Sequence, residues 1–157
     1  MSIFELLTRY CRLVYGLLSK ELIENDNYTM DKISVTCAII IKNKKVLVVQ
    51  RSESMKLPLK WEFPGGKIEN GESEVECIVR EIKEELNLDI AVLKKLHSSE
   101  FDYPNISIEL IPFIAKQIGG QIRLSEHAAF KYIEKEELLD LDWAEADIPI
   151  VKEYLSL

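Results

Sequence analysis

The spacing of hydrophobic residues along the chain changes near Met30. Residues 2–24 carry apolar side chains at helical spacing, interrupted by basic residues, and this pattern predicts an amphipathic helix with a wide apolar face. We expect that face to pack on the rest of the protein or to form a homodimer with a second copy, in preference to a membrane surface. The pattern therefore predicts an N-terminal helical extension over residues 1–29 and a domain over residues 30–157.

Beyond Met30, short β-rich runs separated by polar turns predict a sheet. Residues 33–41 and 46–49 are expected to form a hairpin closed by the polar turn 42–45. Gly119 and Gly120 are expected to break the chain. The other predicted elements are a strand within 90–103, strands at 106–117, 121–124 and 129–133, one or two helical turns at 134–139, and a helix at 144–155.

The clearest helical pattern lies in the middle of the chain. Ser73 followed by Glu76 forms a capping box, and Asn87 tolerates the left-handed conformation that closes a helix. These signals predict a helix over residues 73–86. Its apolar stripe is expected to consist of Val75, Ile78, Val79, Ile82 and Leu86.

Three carboxylates, Glu81, Glu84 and Glu85, form a second stripe on the predicted helix. Two of them lie in the last turn, where the helix macrodipole disfavours negative charge by roughly 0.3–1 kcal/mol each. A solvated acidic face is the ordinary explanation for clustered glutamates. The alternative is a site for a hard cation such as Mg²⁺, which prefers carboxylate oxygens and shares its coordination with substrate phosphates.

Composition narrows the classes of partner. A net charge of −7 and a pI near 5.0 argue against a nucleic-acid binder, because such proteins have a basic footprint. Cys11, Cys37 and Cys77 lack the spacing of a disulfide framework or a zinc site. No secretory signal or membrane-spanning run is present in the sequence, so we expect a cytoplasmic protein with no membrane partner.

The spacing around the carboxylates resembles a known family motif. Gly66, five residues, Glu72, seven residues and then residues 80–88 (REIKEELNL) are similar to the Nudix box, G-x5-E-x7-R-E-U-x-E-E-x-G-U with U aliphatic. Only the second glycine differs, being Asn87 here, and this difference concerns helix termination rather than chemistry. The resemblance implies a Nudix-type α/β/α sandwich with a mixed central sheet and a hydrolase that uses Mg²⁺, or alternatively Mn²⁺.

The resemblance extends to the MutT-type branch of the family. Residues 61–67 (WEFPGGK) are similar to its L-E-F-P-G-G-K segment, and residues 144–151 resemble its base-pocket segment. This branch converts a nucleoside triphosphate and water into a nucleoside monophosphate and diphosphate. The implied metal ligands are Glu81, Glu84, Glu85 and the Gly65 carbonyl, with Glu72 supporting a further metal; Arg80 would orient the carboxylates, and Glu126 would be the general base unless it is an ordinary surface carboxylate.

The resemblance also suggests which residues bind the nucleotide. They are Arg51, Phe63, Lys67, Tyr103 and Asp147, although Arg51 could instead form a surface ion pair and the aromatic residues could belong to the core. Asp147 stands where enzymes that read oxidised guanine carry an asparagine, and an ionised aspartate only accepts hydrogen bonds. This favours a base that offers N–H donors, such as cytosine, and hence CTP, dCTP or a broad range of nucleotides. The alternatives are 8-oxo-dGTP, another Nudix substrate (a dinucleoside polyphosphate, ADP-ribose or a capped RNA end), and a non-catalytic nucleotide-binding module.

Overall fold

The computed structural model describes residues 32–104 and 106–157. The predicted N-terminal helix and the homodimer expected through it lie outside the described residues. Within the described part of the chain, no helix is long and apolar enough to cross a bilayer.

The described strands form one mixed sheet. Its main path runs β3-β2-β1-β7-β5, with β4 paired to β1, β6 to β7 and β8 to β2. β1 and β7 are parallel, and every other pair is antiparallel. The strands are β1 (Lys32–Lys42), β2 (Lys45–Gln50), β3 (Trp61–Glu62), β4 (Gly65–Lys67), β5 (Leu88–Lys95), β6 (Ser99–Tyr103), β7 (Ile106–Gly120) and β8 (Ala129–Ile133).

Helices cover both faces of this sheet, because the central strands are apolar on both sides. On β1, Ala38 and Ile40 pack with helix α1 (Glu74–Leu86), whereas Cys37 and Ile39 pack on the opposite side with helix α2 (Ile148–Ser156). Two 3₁₀ segments, Lys135–Asp140 and Glu145–Asp147, precede α2. The predicted α/β/α sandwich with a mixed sheet is confirmed.

The predicted hairpin is also confirmed. Asn43 and Lys44 connect β1 to β2 with φ angles of 50° and 68°, the positive values that a tight two-residue hairpin turn requires. The single strand expected within 90–103 is instead two strands. β5 and β6 both pair with β7, which is 15 residues long and has room for one partner along each half of its edge.

The expectations for residues 119–124 were wrong. Gly119 and Gly120 do not break the chain but continue β7, where they pair with the start of β5. The strand expected at 121–124 is absent from the described structure, because this segment closes the C-terminal end of α1. The Arg123 amide donates to the Leu86 carbonyl at 3.0 Å, and the Asn87 side-chain amide donates to the Gln121 carbonyl at 3.1 Å.

Helix α1 begins and ends as predicted, but its buried face is rotated. Ser73 and Glu76 form the reciprocal capping box, and Asn87 closes the helix with φ 55°. Val75 and Val79, expected in the core, are 47% and 40% exposed, whereas Cys77 is fully buried. The helix therefore turns its Cys77 side towards the sheet, which brings neighbouring carboxylates out of full solvent exposure.

Candidate active site

The double glycine on β4 allows α1 to lie directly against the sheet. A Cβ atom on Gly65 would come within 2.0 Å of the Thr36 carbonyl oxygen on β1. A Cβ atom on Gly66 would come within 2.2 Å of the carboxylate carbon of Glu81. The backbone at Gly66 and the Glu81 side chain are thus in direct contact, and no other residue type fits at either glycine without displacing its neighbours.

Arg80 joins three carboxylates at this edge of α1. Its Nε donates to Oε1 of Glu72 at 2.7 Å and its Nη2 donates to Oε2 at 2.9 Å, while Nη1 donates to Glu81 at 2.8 Å and to Glu84 at 3.3 Å. The Arg80 hydrogen bonds lower the pKa of Glu72 to about 2. Arg80 therefore holds the carboxylates in fixed orientations, and both oxygens of Glu72 are bound to it.

The three predicted metal ligands on α1 differ in how far their side chains are exposed to solvent. The Glu81 side chain is only 15% exposed, whereas that of Glu84 is 62% exposed. Glu85 is partly buried, and its Oε2 has no hydrogen-bond partner among the described residues. A purely solvated acidic face is therefore excluded for Glu81 and Glu85.

Burial raises the pKa of Glu85 to about 7. The nearby His127 opposes this increase, and the negative charges of Glu81, Glu62 and Glu126 add to it. Several carboxylates therefore surround the partly buried Glu85 side chain, and such a concentration of negative charge attracts a cation.

The loop at 125–127 lies at the C-terminal end of α1. The Ser125 amide donates to the Glu85 carbonyl at 3.0 Å, and the Ser125 hydroxyl donates to the Glu84 carbonyl at 2.9 Å. Two carbonyls left unpaired by the helix end are satisfied in this way. The loop thereby places Glu126, which is exposed, and His127, which is buried, beside the helix.

A pocket is lined by residues outside the 66–88 segment. Its volume is about 360 Å³, and Arg51 and Tyr103 are among its lining residues, which also include Lys56, Leu57, Pro104, Ile106 and Ile108. Arg51 Nη1 donates to Oε2 of Glu62 at 2.6 Å. The lining combines one aromatic ring, an apolar wall and two cations, a combination suited to a planar, polar-edged ligand.

Phe63 and Asp147 are buried and do not belong to the lining of this pocket. The Phe63 amide donates to Oδ1 of Asp147 at 2.9 Å, and the Phe63 ring packs against Trp143 with centroids 4.8 Å apart. Burial raises the pKa of Asp147 to about 8, so at pH 7 the neutral acid predominates. The assumption that this carboxylate is ionised and only accepts hydrogen bonds is replaced by a group that both donates and accepts.

The residues at the edge of α1 fit a hard divalent cation by their chemistry. Glu81, Glu84 and Glu85 supply carboxylate oxygens, and Glu85 retains a buried oxygen without a partner among the described residues. No three acidic, histidine or cysteine side chains within 32–104 and 106–157 are already arranged around a common metal position. One oxygen each of Glu81 and Glu84 is bound to Arg80 instead.

The profile of the NUDIX domain matches residues 30–154. The chain belongs to the NUDIX domain family. It is a hydrolase that acts on phosphorus-containing anhydrides. The predicted membership and enzyme class are confirmed.

Individual NUDIX relatives support this assignment. CTP pyrophosphohydrolase of Escherichia coli K12 is 33% identical over 128 residues, which cover 82% of this chain and 95% of the relative. Putative 8-oxo-dGTP diphosphatase 2 of Mycobacterium tuberculosis H37Rv is 35% identical over 114 residues, covering 72% and 81% of the two chains. The solved structure of DNA mismatch repair protein MutT, a Nudix hydrolase of methicillin-resistant Staphylococcus aureus 252, superposes with a TM-score of 0.68 at 38% identity, covering 82% of this chain and 98% of that one.

The NUDIX fold brings the sequence-predicted residues together in two groups. The first group lies at the edge of α1 and consists of Glu72, Arg80, Glu81, Glu84, Glu85 and Glu126. Gly65 lies against β1, and its neighbour Gly66 contacts Glu81. The second comprises Arg51 and Tyr103 at the pocket, with Phe63 and Asp147 buried nearby; the Asp147 charge acts on the pKa of Tyr103. Lys67 joins neither group through its side chain, which is exposed, but its carbonyl accepts from Arg80 at 3.3 Å.

Two residues of this NUDIX site were not predicted to have a role. These residues are Glu62 and His127: Glu62 contacts both Arg51 and His127. One feature of the sequence could have indicated a role for Glu62: its carboxylate lies between Trp61 and Phe63, two aromatic residues that the fold buries. An acidic residue inside such an apolar run requires a polar partner.

Proposed function

We propose that this protein is a divalent-metal-dependent nucleoside triphosphate pyrophosphohydrolase. It would convert a nucleoside or deoxynucleoside triphosphate and water into the monophosphate and diphosphate, with a preference for cytosine. The observation that carries the proposal is the edge of α1, where Glu85 is partly buried beside the Arg80-bound carboxylates. One Glu85 oxygen has no hydrogen-bond partner within 32–104 and 106–157. The pocket beside Arg51 and Tyr103 supports a nucleotide as the anhydride substrate.

Each residue at this edge has a role consistent with the reaction. Glu81, Glu84 and Glu85 would hold Mg²⁺ or Mn²⁺, which when bound neutralises phosphate charge and lowers the pKa of coordinated water. Arg80 fixes the orientation of Glu81 and Glu84 from one guanidinium nitrogen. Glu126 is exposed on a loop tied to the carbonyls of the last turn, so it can accept a proton from the attacking water without being dehydrated.

The neutral form of Asp147 is compatible with a cytosine nucleotide, and the preference for cytosine follows the CTP pyrophosphohydrolase that is 33% identical to this chain. A carboxylic acid offers one O–H donor and one C=O acceptor, whereas a carboxylate offers only acceptors. Cytosine presents the N3 acceptor beside the N4 donor and complements the neutral acid. Adenine, with N1 beside the N6 amine, and guanine, with O6 beside N1–H, offer the same pairing; guanine also presents two adjacent donors, N1–H and N2–H, which complement the ionised form. With a pKa of about 8, Asp147 is predominantly in the form that suits cytosine at pH 7.

The second candidate substrate is 8-oxo-dGTP. Oxidised guanine carries an N7–H donor beside the O6 acceptor, and this edge also complements a neutral carboxylic acid. A relative 35% identical to this chain is described as a putative 8-oxo-dGTP diphosphatase. Asp147 alone therefore does not separate this candidate from cytosine nucleotides, and a direct comparison is needed.

A nucleotide panel tests the proposal. Diphosphate release from CTP, dCTP, dATP, dTTP, dGTP and 8-oxo-dGTP is measured with Mg²⁺, with Mn²⁺ and with excess chelator. We expect metal-dependent turnover, with the highest kcat/KM for a cytosine nucleotide. Highest turnover with 8-oxo-dGTP would support the second candidate. Tight binding of a nucleotide without turnover would contradict both and indicate a non-catalytic module.

A further inference from the structure

A row of three charged or polar side chains connects the pocket to the loop beside α1. Glu62 accepts from Arg51 Nη1 at 2.6 Å through one oxygen and contacts His127 Nε2 at 2.9 Å through the other. The side chains of Arg51, Glu62 and His127 are 20%, 15% and 2% exposed. Hydrogen bonds in such shielded positions hold their partners more firmly than the same bonds at the surface.

The chemistry of Glu62 determines the direction of the bond to His127. A carboxylate paired with a guanidinium only accepts hydrogen bonds, so His127 Nε2 must carry the proton and donate it. Glu62 then has one partner for each oxygen, which fixes the carboxylate plane. The Glu62 backbone is fixed as well, because β3 pairs with β2 through Glu62 and Val49. Loss of either partner would release rotation about the Glu62 side-chain bonds.

His127 is itself held by two elements outside the pocket. Ser125 ties its loop to the carbonyls of Glu84 and Glu85, and the Ala128 amide donates to the Gln50 carbonyl on β2 at 2.9 Å. The imidazole Nδ1 is buried and has no hydrogen-bond partner among residues 32–104 and 106–157. In the described structure, the only hydrogen bond of this nearly inaccessible ring is therefore its bond to Glu62.

We propose that His127 is a positioning residue for nucleotide binding, which acts by holding Glu62 so that Glu62 fixes the Arg51 guanidinium at the pocket. This inference rests on the proposed function, since it takes the pocket beside Arg51 to be the nucleotide site. His127 contacts neither the pocket lining nor the predicted catalytic carboxylates by hydrogen bonds. Its effect is therefore on substrate affinity, transmitted through two other side chains.

Replacement of His127 by two amides of different length tests the proposal. Glutamine places its amide nitrogen near the position of Nε2 and can donate to Glu62, whereas the shorter asparagine reaches only as far as Nδ1. For the best nucleotide in the panel, we expect His127→Asn to raise KM about tenfold with kcat changed less than threefold. His127→Gln is expected to stay within threefold of the wild-type KM.

The other histidine of the chain provides a matched control. The His97 side chain is 96% exposed and pairs with Glu153 away from the site. His97→Asn is expected to leave both KM and kcat unchanged. Thermal unfolding of each variant, followed by circular dichroism, identifies the temperature range in which all of them are folded, and the assays are run within it.

A double-mutant cycle distinguishes positioning from a general structural role. Arg51→Ala removes the guanidinium through which His127 is proposed to act. In that background His127→Asn should change KM less than twofold, whereas a structural role would raise KM by the same factor in both backgrounds. Equal KM increases in the two backgrounds, or equal KM values for the Asn and Gln variants, would overturn the proposal.

Failure of this inference can be told apart from failure of the proposed function. If the wild-type protein hydrolyses a nucleotide and His127→Asn keeps the wild-type KM, the inference is wrong and the function stands. Calorimetric titration with α,β-methylene dCTP measures affinity without turnover, and a tenfold weaker Kd for His127→Asn would support the inference even if the reaction were misassigned. Absence of both turnover and binding in the wild type would overturn both.

Discussion

The edge of α1 and the pocket beside Arg51 differ in how the chain builds them. The edge of α1 comes from one continuous stretch, residues 66–88, whose spacing alone places Glu81, Glu84 and Glu85 on adjacent turns. The pocket region draws on Arg51 after β2 and on segments separated from it by dozens of residues. Local helix geometry thus fixes the predicted reaction site, whereas the sheet topology assembles the predicted base site.

The two regions also treat charge in opposite ways. Glu72 has a pKa lowered to about 2 because Arg80 binds it, so it is ionised at any physiological pH. Burial raises the pKa of Asp147 to about 8, although the nearby Arg51 charge opposes this increase. Arg80 thus keeps Glu72 charged at the edge of α1, whereas burial raises the pKa of Asp147 in the predicted base site.

The largest effect is expected from the edge of α1. Glu85→Gln and Glu84→Gln each keep the side-chain shape but remove a charge, and we expect kcat to fall by about 10²-fold or more, the size of effect typical of a removed catalytic group. Diphosphate release under saturating nucleotide and Mg²⁺ measures this. Glu74→Gln, in the first turn of the same helix and paired with Lys95, is the control and should retain wild-type kcat. Loss of activity in all three variants would indicate helix damage instead.

A smaller effect, and one on a different kinetic parameter, is expected at the pocket. Arg51→Ala removes a charged donor, and hydrogen bonds to charged groups contribute about 1.5–3 kcal/mol, so KM should rise roughly 10- to 100-fold. We expect kcat to change by less than threefold, because the Arg51 side chain bonds to Glu62 and makes no hydrogen bond to Glu81, Glu84 or Glu85 in the described structure. A fall in kcat with an unchanged KM would contradict the division between the two regions.

The pH dependence of base preference should distinguish Asp147 from the edge of α1. As pH rises through about 8, the neutral acid loses its proton and its donor, so the kcat/KM ratio of dCTP to dGTP should fall between pH 7 and pH 9. Asp147→Asn keeps a donor and an acceptor at every pH, so its ratio should remain constant over this interval. A wild-type ratio independent of pH would show that Asp147 does not contact the base.

The smallest effect concerns the stability of α1 rather than its chemistry. The Ser73 hydroxyl accepts from the Glu76 amide at 3.3 Å within the capping box. Ser73→Ala should lower the free energy of unfolding by about 1 kcal/mol and leave kcat unchanged at temperatures where the protein is folded. Urea denaturation measures this, with Ser54→Ala in the exposed loop before β3 as the control. An unchanged free energy would show that tertiary packing alone fixes the helix start.

Within α1 the sequence predicted most of what the structure shows, because the relevant interactions are local. The capping box and the Asn87 cap depend on residues at most a few positions apart. The orientation of the helix was not predicted, and Val79 proved 40% exposed. Burial depends on which face meets the sheet, and the direct contact between Gly66 and Glu81 decides that.

Fewer features of the predicted base site could be predicted from the sequence, because they depend on contacts between residues that are distant along the chain. Asp147 was recognised by resemblance, but the rise in its pKa to about 8 depends on burial by residues far away in sequence. The role proposed for His127 depends on a contact with Glu62, 65 positions earlier in the chain. Similarly, residues 121–124 have strand-like composition, yet the Arg123 amide and the Gln121 carbonyl form hydrogen bonds with the end of α1.

The sequence by itself determined the family, the mixed α/β architecture and the order of the carboxylates on α1, because motif spacing and helix periodicity are properties of neighbouring residues. The tertiary structure alone decided which of those carboxylates are shielded from water, which side chains share the pocket, and that burial raises the pKa of Asp147. Burial and pKa depend on what surrounds a group in space, and in this protein the surroundings come from strands and loops that are distant along the chain.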